Sequence, residues 1–310
     1  MKAAVLTGDG ASTLEDLPET SPGPGGVVLR LEGCGVCASN LPVWQGRSWF
    51  QYPQQAGAPG HEPWGRIIEC GDGVKGLEVG TRVTGLSYRA YAECDIARAD
   101  QLVPLPARFD GRPFPGEALA CAMNVFDRAG IKRGLRTAIV GAGFIGSVLI
   151  QTAAAAGAAV TAFSRRQWSL DQALDQGAVE AKPIGDALAG KENQSWPCVI
   201  ECSGTQAGLD AATQLVGVRG RLVVAGYHQE GPCTVDMQQW NWKGIDVINA
   251  HERDPARYTN GIRAAMDAID HKRLDPWPLF THSLPLQDID RAFRLMQERP
   301  EGFTKATLCL

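Results

Sequence analysis

The chain has no dense run of lysine or arginine, only five histidines and no closely spaced cysteine framework, and these shortages narrow its possible functions. The formal net charge is −4 at pH 7, with 30 basic and 34 acidic side chains among 310 residues. Nucleic acids and anionic membranes attract basic patches, so neither is expected as the main partner. The sequence therefore predicts a globular protein whose ligand is a small molecule.

Nine cysteines are scattered at positions 34, 37, 70, 94, 121, 198, 202, 233 and 309. An odd number at wide spacing is unlike the disulfide framework of a secreted domain, so we expect reduced thiols. Cys34 and Cys37 form the one C-x-x-C pair, and Cys70 and Cys94 do not supply the second close pair of a closed zinc site. A thioredoxin-like dithiol is an alternative, but the Gly-rich β context favours Cys34 as a small buried hydrophobe.

Long uninterrupted apolar runs are also missing. Residues 137–164 carry no charge, which could suggest a membrane span. Glycine and polar residues interrupt this segment throughout, at Gly141, Gly143, Gly146, Ser147, Gln151, Thr152 and Gly157. The apolar stretch before Gly8 is too short for the core of a signal peptide. We therefore expect a cytoplasmic protein.

The most informative pattern present is a glycine-rich turn between the apolar run 137–140 and the Ala-rich stretch 147–156. Its residues are Gly141, Ala142, Gly143, Phe144, Ile145 and Gly146. The first glycine permits the turn, the second lets the backbone approach a pyrophosphate, and the third lets a helix pack on the strand. Residues 160–163 predict the next strand, which ends at Ser164, about 20 residues on, where an adenosine ribose should sit.

The pattern of predicted secondary structure changes near residue 115. Before that point, short alternating runs such as 27–31 and 64–69 are separated by glycine and proline, which is typical of β-structure. After it, helices predicted at 117–129 and 255–269 alternate with strands at 198–202, 220–226 and 245–249. We expect a doubly wound parallel sheet in residues 116–274 and a mostly β domain in residues 1–115 and 275–310. The apolar stripe of Ile289, Ala292, Phe293 and Met296 is interpreted as core packing.

A second constellation lies in the β domain, where Gly33-Cys34-Gly35-Val36-Cys37 is followed further on by Gly60-His61-Glu62. Thiolate, imidazole and carboxylate are zinc ligands, and catalytic sites leave one position open. Upstream of a dinucleotide turn, these motifs resemble the zinc-type medium-chain dehydrogenase/reductase family, which includes alcohol, sorbitol and threonine dehydrogenases. The resemblance covers nearly the whole chain and implies a GroES-like catalytic domain beside a Rossmann domain.

In that family the two motifs hold a catalytic zinc ion, which implies that Cys37 and His61 are ligands here. The identity of the third ligand stays open. Glu117 is our first choice, because the polyol branch of the family has a glutamate in a similar sequence context. Glu62 is the second choice and Cys121 the third. Glu62 could instead relieve or replace a ligand during turnover. The resemblance implies that Ser39 hydrogen-bonds the substrate oxygen and passes on its proton, whereas a plainer interpretation is a turn serine that caps a short helix.

Two departures from the family pattern bear on the metal. Asn40 stands where many members have an aspartate that supports the histidine ligand, so a neutral group is expected there. The four-cysteine lobe of many members is missing, because Cys94 is the only cysteine between residues 71 and 120. The sequence therefore predicts one catalytic zinc ion and no structural one.

Ser164 is followed by Arg165 and Arg166, where NAD-binding chains carry an acidic residue. Guanidinium groups can hold a 2′-phosphate, so we expect NADP(H) in preference to NAD(H), although both arginines could be a solvated helix start. The loop after the strand at 198–202, with Cys202 and Ser203, is expected to line the cofactor.

We expect hydride transfer between this cofactor and a secondary alcohol or ketone, with a polyol, sugar or cyclitol as the expected substrate class. Aromatic residues at 44, 49, 50 and 52 could stack on a sugar, or could pack the β domain or a subunit contact. Alternatives are a zinc-free quinone or enoyl reductase of the same superfamily and a non-catalytic dinucleotide-binding protein. A homodimer or homotetramer is expected.

Overall fold

The computed structural model describes residues 1–18, 20–189 and 195–310. They divide into two compact units, the first comprising Met1–Ala120, Asp254–Arg263 and Trp277–Leu310, and the second comprising Cys121–Arg253 and Ala264–Pro276. The expected boundaries lie at 115/116 and 274/275. Asp254–Arg263 clusters with the first unit because Gly261 lies against Ala120, where a Cβ atom on Gly261 would come within 2.9 Å of the alanine side chain.

The strands and helices follow the alternation of the sequence. The strands are β1 (Lys2–Gly8), β2 (Ala11–Asp16), β3 (Gly26–Gly35), β4 (Pro63–Cys70), β5 (Arg82–Gly85), β6 (Cys94–Arg98), β7 (Leu102–Pro104), β8 (Arg136–Val140), β9 (Ala159–Ser164), β10 (Glu180–Pro183), β11 (Trp196–Glu201), β12 (Val216–Val224), β13 (Asp246–Asn249), β14 (Phe280–Pro285) and β15 (Lys305–Cys309). The helices are α1 (Leu41–Trp44), α2 (Gly116–Ala129), α3 (Phe144–Ala155), α4 (Gln167–Asp175), α5 (Ile184–Leu188), α6 (Gln206–Leu215), α7 (Met237–Lys243), α8 (Pro255–Asp270) and α9 (Ile289–Glu298).

The first unit is built on β-sheet. Strands β1 and β2 form an antiparallel hairpin, and the larger sheet has the order β14-β15-β3-β4-β5-β7, with β6 paired to β3. Strand β15 therefore lies directly beside β3, although some 270 residues separate them in the chain. This pairing brings the last strand next to the segment that carries the cysteine motif.

The core of the first unit is closed by α9. Its apolar stripe is fully or almost fully buried, which confirms that Ile289, Ala292, Phe293 and Met296 pack the core. The Phe293 ring stacks on Trp44 with centroids 5.5 Å apart and meets Tyr91 edge-on at 6.1 Å. These contacts connect α9 to α1 and to the loop that precedes β6.

The second unit is a doubly wound α/β fold, as the sequence predicts. Its parallel strands have the order β10-β9-β8-β11-β12-β13. Chain order reverses between β8 and β11, and in open α/β sheets ligands bind beyond the carboxyl ends of the strands at such a point. The central strands are buried on both faces, which explains their continuous apolar composition.

The uncharged segment 137–164 spans β8, the glycine turn, α3 and β9, so its apolar residues serve the parallel sheet. Within the part of the chain that the structure describes, no helix is both long and apolar enough to cross a membrane.

Candidate functional site

Cys37 lies in the turn that follows β3. It is half-buried, and it precedes a one-turn 3-10 helix, Ala38–Asn40, and then α1. The Ser39 hydroxyl donates a hydrogen bond to the Cys37 sulfur at 3.1 Å. Cys37 is the N-cap of the 3-10 helix and no side-chain hydrogen bond caps it, so the structure does not support a capping role for Ser39.

His61 lies in the loop before β4 and its ring orientation is fixed. Its Nδ1 atom is 2.8 Å from the carbonyl oxygen of Pro59. A carbonyl only accepts hydrogen bonds, so Nδ1 carries a proton and Nε2 is the ring nitrogen available to a metal ion. Asn40 donates from Nδ2 to the same carbonyl at 3.0 Å and to the hydroxyl of Tyr91 at 2.8 Å. A backbone carbonyl, itself held by Asn40, thus orients the histidine.

Cys37, His61 and Glu62 form the candidate metal centre. One donor atom from each lies within 4.8 Å of the others. Thiolate, imidazole and carboxylate are the donor set of zinc, so these residues fit that ion. Among the described residues Glu117 is not part of this group, although it is buried near the start of α2 and its charge acts on His61. The structure thus groups the alternative ligand Glu62 with the pair, whereas the charge of the preferred ligand Glu117 acts more strongly on His61 than that of Glu62.

Lys305, on β15, is a site residue that the sequence analysis missed. Its Nζ atom lies 2.7 Å and 3.0 Å from the two carboxylate oxygens of Glu62, and both side chains are almost completely buried. Gly35 makes room for this pair, because a Cβ atom there would lie 1.8 Å from Glu62 Oε2. A lysine at the start of the mostly apolar strand Lys305–Cys309 is the signal that could have identified it.

The centre is electrostatically coupled. Burial would lower the pKa of His61, but its hydrogen bond with Cys37 and the charges of Cys37, Glu117 and Glu62 raise that pKa to about 10 in the absence of metal. Burial also opposes the charge of Lys305, yet Glu62 and Cys37 raise the pKa of the amine. The anionic groups thus stabilise positive charge, which is the requirement for binding a cation.

The glycine turn of the second unit has the expected geometry. Gly141 has φ +102°, a conformation that favours glycine, and a Cβ atom on Gly146 would lie 2.0 Å from the Gly141 carbonyl oxygen. Gly143, in contrast, faces open space. It is the N-cap of α3, and no side-chain hydrogen bond caps it. Phe144 and Ile145 form the first turn of α3, whose N-terminus can bind an anion.

The remaining predicted cofactor residues lie at the carboxyl ends of β9 and β11, the strands on either side of β8. Cys202 and Ser203 follow β11, and a Cβ atom on Gly141 would lie 2.9 Å from the Ser203 nitrogen, so this loop adjoins the glycine turn. Ser164 ends β9. Arg165 is exposed, while the guanidinium of Arg166 lies over the Trp168 ring at 5.8 Å.

The aromatic segment after Cys37 does not form one binding wall. Trp44 is buried, stacks on Phe293 and donates from Nε1 to Asp290 at 2.9 Å. The Tyr52 hydroxyl donates to the Val43 carbonyl at 2.6 Å. For Trp44 the structure supports the alternative that the ring packs the β domain. Trp49, which is 57% exposed, is the aromatic residue of the segment most open to solvent.

Two family models match the chain. The model for the alcohol dehydrogenase GroES-like domain matches residues 23–111, and the model for zinc-binding dehydrogenases matches residues 145–268. The first range contains the candidate metal centre, whereas Glu117 and Lys305 lie beyond it. The second begins inside the glycine turn.

Relatives and solved structures extend this similarity over the whole chain. A sorbitol dehydrogenase of Halalkalibacterium halodurans is 27% identical over 96% of both chains. A solved zinc-binding dehydrogenase from Sinorhizobium meliloti 1021, bound to NADP, has a TM-score of 0.85 at 21% identity and covers 100% of this chain and 99% of its own. A structure described as a short chain alcohol dehydrogenase from Escherichia coli CFT073, complexed with NADH, has a TM-score of 0.85 at 20% identity, with the same coverage. Both structural likenesses concern the fold.

Proposed function

The chain belongs to the zinc-type medium-chain dehydrogenase/reductase family, and we propose that it transfers a hydride between a nicotinamide cofactor and a secondary alcohol or its ketone. It is an oxidoreductase of the alcohol and polyol type. The observation that carries the proposal is the grouping of Cys37, His61 and Glu62 within 4.8 Å, in a chain that also has the dinucleotide turn.

We propose that Cys37 and His61 hold one zinc ion per chain, with Glu117 as the third ligand and Glu62 as the alternative. The charge of Glu117 acts on His61 more strongly than that of Glu62, whose two oxygens contact Lys305, and this supports Glu117. Zinc supplies Lewis-acid polarisation of the substrate oxygen when it is bound. The Pro59 carbonyl keeps the His61 ring in the ligating tautomer.

Ser39 is proposed to hydrogen-bond the substrate oxygen and to pass its proton on. Its hydroxyl lies 3.1 Å from Cys37 Sγ and 3.3 Å from Asn40 Oδ1, so it adjoins the metal centre and can rotate between partners. The Ser39→Ala variant tests this role, and we expect kcat to fall about a hundredfold or more while zinc content stays constant.

The metal assignment is tested by elemental analysis of Cys37→Ser, Glu117→Gln and Glu62→Gln beside the unmodified protein. We expect one zinc per chain, loss of metal in Cys37→Ser, and a larger loss of zinc affinity in Glu117→Gln than in Glu62→Gln. The reverse order would assign Glu62 as the third ligand. A Cys37→Ser protein that keeps both zinc and activity would contradict the metal centre.

We propose NADP(H) as the preferred cofactor. Arg165 and Arg166 follow Ser164 at the end of β9, and no carboxylate stands at these three positions to repel a 2′-phosphate. Gly141, Gly143, Phe144, Ile145 and Gly146 would bind the pyrophosphate, and Cys202 and Ser203 would line the same edge of the sheet. The double variant Arg165→Ala, Arg166→Ala should lose NADPH affinity and keep NADH affinity. Equal losses for both cofactors would refute phosphate recognition.

We propose a polyol, sugar or cyclitol as the substrate class. The support is the similarity to a sorbitol dehydrogenase along the whole chain. Steady-state kinetics on polyols, sugars and plain primary or aromatic alcohols test the class, and a clear preference for the plain alcohols would overturn it. A homodimer or homotetramer in the cytoplasm is the proposed setting, and sedimentation equilibrium measures the oligomer.

A further inference from the structure

A cysteine, a histidine and a glutamate are connected by hydrogen bonds beyond the carboxyl ends of β11 and β12. Glu201 Oε2 lies 3.0 Å from Nε2 of His228, and Nδ1 of His228 lies 3.4 Å from Sγ of Cys233. We propose that Cys233 is a reactive thiol that exchanges with low-molecular-weight disulfides, with His228 as its base and Glu201 as the group that orients the imidazole. These three residues belong to the second unit, whereas those of the proposed metal centre belong to the first.

The Glu201 carboxylate fixes the tautomer of His228. Its side chain has no exposed surface, and Oε1 accepts hydrogen bonds from the Ser203 nitrogen at 2.6 Å, the Ser203 hydroxyl at 2.6 Å and the Gly204 nitrogen at 3.0 Å. A carboxylate that accepts so many donors is an acceptor toward His228 as well, so Nε2 carries the proton. The lone pair of Nδ1 then points to Cys233 and can receive the thiol proton.

Glycines leave space for this carboxylate. A Cβ atom on Gly226 would lie 2.4 Å from Oε2 of Glu201, and one on Gly208 would lie 2.8 Å from Oε1. Any larger residue at either position would push the carboxylate away from His228. The orienting group is therefore held in place by the backbone around it.

The loop that carries Cys233 is also held by hydrogen bonds. The Gln206 side chain accepts a hydrogen bond from the Thr234 nitrogen and donates one to the Thr234 carbonyl, both at 2.9 Å. Gln206 is the first residue of α6, whose N-terminus is capped by Thr205. Cys233 thus presents an exposed sulfur from a loop fixed at the next residue. A nucleophile, a base and an orienting third group within hydrogen-bond reach are the geometry of an activated nucleophile.

The exchange balances without a further reactant. The proton of Cys233 passes to Nδ1 of His228, and the thiolate sulfur gives an electron pair to one sulfur of the disulfide. The disulfide bond breaks, a mixed disulfide forms at Cys233, and the leaving thiolate takes the proton back from His228. The protein thiol is oxidised, and the small disulfide is reduced to one thiol and the bound half.

Cys309 supplies a matched comparison within the same chain. It is also exposed, but its sulfur lies 2.8 Å from the hydroxyl of Ser283, which is no base at neutral pH. Two exposed thiols thus differ in whether an imidazole or a hydroxyl lies beside them.

The test uses the full chain with oxidised glutathione as the probe and peptide mass spectrometry to follow each mixed disulfide in time. We expect Cys233 to react at least about tenfold faster than Cys309 in the unmodified protein. The His228→Gln variant keeps a donor for Glu201 but has no base, so Cys233 should slow to the rate of Cys309. The rate of Cys309 itself should not change in the variant.

Equal rates for Cys233 and Cys309 in the unmodified protein would overturn the proposal without any variant. An unchanged Cys233 rate in a His228→Gln protein whose thermal midpoint matches the parent would overturn the role of the histidine. If His228→Gln melts early, His228→Asn is compared in the same way, and the first comparison stands in either case.

Discussion

At the scale of single residues, the Lys305–Glu62 pair is the feature with the largest consequence for the proposed metal centre. Both side chains are buried, and the ammonium contacts both carboxylate oxygens. Removing one partner of a buried pair leaves a charge without compensation, which costs far more than the pair itself contributes. The stability of the centre therefore depends on a residue that coordinates nothing in our proposal.

Lys305→Met should lower the free energy of unfolding of the metal-free protein by about 3–5 kcal/mol. Lys305→Met combined with Glu62→Gln should recover much of this loss, because no buried charge then remains unpaired. Urea unfolding of the two single variants and the double variant gives the coupling energy. Additive losses in the double variant would contradict a direct pair.

The residues of the site differ in how far the sequence could reveal them. Cys37 and His61 were predicted as ligands, with Glu62 as the alternative to Glu117, because their motifs resemble those of the zinc-type medium-chain dehydrogenase/reductase family. Lys305 was not, because its contact with Glu62 spans 243 residues and depends on β15 pairing with β3. The sequence left the role of Trp44 open, because a residue's position near a ligand in the chain does not say which face of a short helix is buried.

Among the structural elements, the segment formed by β8, the glycine turn and α3 contains two glycines with different roles, Gly143 and Gly146. Gly146 is needed for packing, since a Cβ atom there would meet the Gly141 carbonyl oxygen at 2.0 Å. Gly143 meets nothing within 4 Å, so packing does not require a glycine at this position. The sequence predicts this segment well because its strand, turn and helix are each determined by residues that are adjacent in the chain.

Gly143→Ala should retain the thermal midpoint of the parent and weaken NADPH binding by tenfold or more, because the methyl group occupies the space that a pyrophosphate approaches. Gly146→Ala should lower the midpoint itself. Thermal melts and NADPH fluorescence titrations of both variants separate the two effects. A Gly143→Ala protein with parental affinity would remove that glycine from the cofactor site.

Helix α9 packs its apolar stripe against the core of the first unit. Phe293→Ala should destabilise the protein by about 3–5 kcal/mol, because the ring is fully buried against Trp44 and Tyr91. Trp49→Ala is the control, since that side chain is 57% exposed and should change stability by about 0.5 kcal/mol or less. Urea unfolding measures both, and similar losses would contradict the core assignment.

Across the whole molecule, the residues proposed to bind zinc and those proposed to bind the cofactor belong to different units. All proposed zinc ligands lie in the first unit, whereas the proposed cofactor residues lie in the second. A ligand that binds the folded state stabilises by about 2.7 kcal/mol at a hundredfold excess over its Kd. Zinc and cofactor should therefore protect different parts of the chain.

Hydrogen exchange measured by mass spectrometry checks this expectation. Chelating zinc should speed exchange in β3 and β4 and leave β8 and β9 nearly unchanged, because all the proposed zinc ligands belong to the first unit. Adding NADPH to the zinc-depleted protein should slow exchange in β8 and α3. Loss of protection in β8 and β9 on chelation would show that the metal stabilises more than the unit that binds it.

The distance along the chain between Glu62 and Lys305 also sets an order of events during synthesis. A ribosome adds residues at about 5–20 per second, so Lys305 emerges roughly 10 to 50 seconds after Glu62. During that interval a nascent chain presents Cys37, His61 and Glu62 without the ammonium that later neutralises the glutamate. An ion captured before β15 joins the sheet encounters a carboxylate that an ion arriving afterwards finds already engaged. The timing of metal delivery relative to completion of the chain thus determines which ligand set the ion first meets.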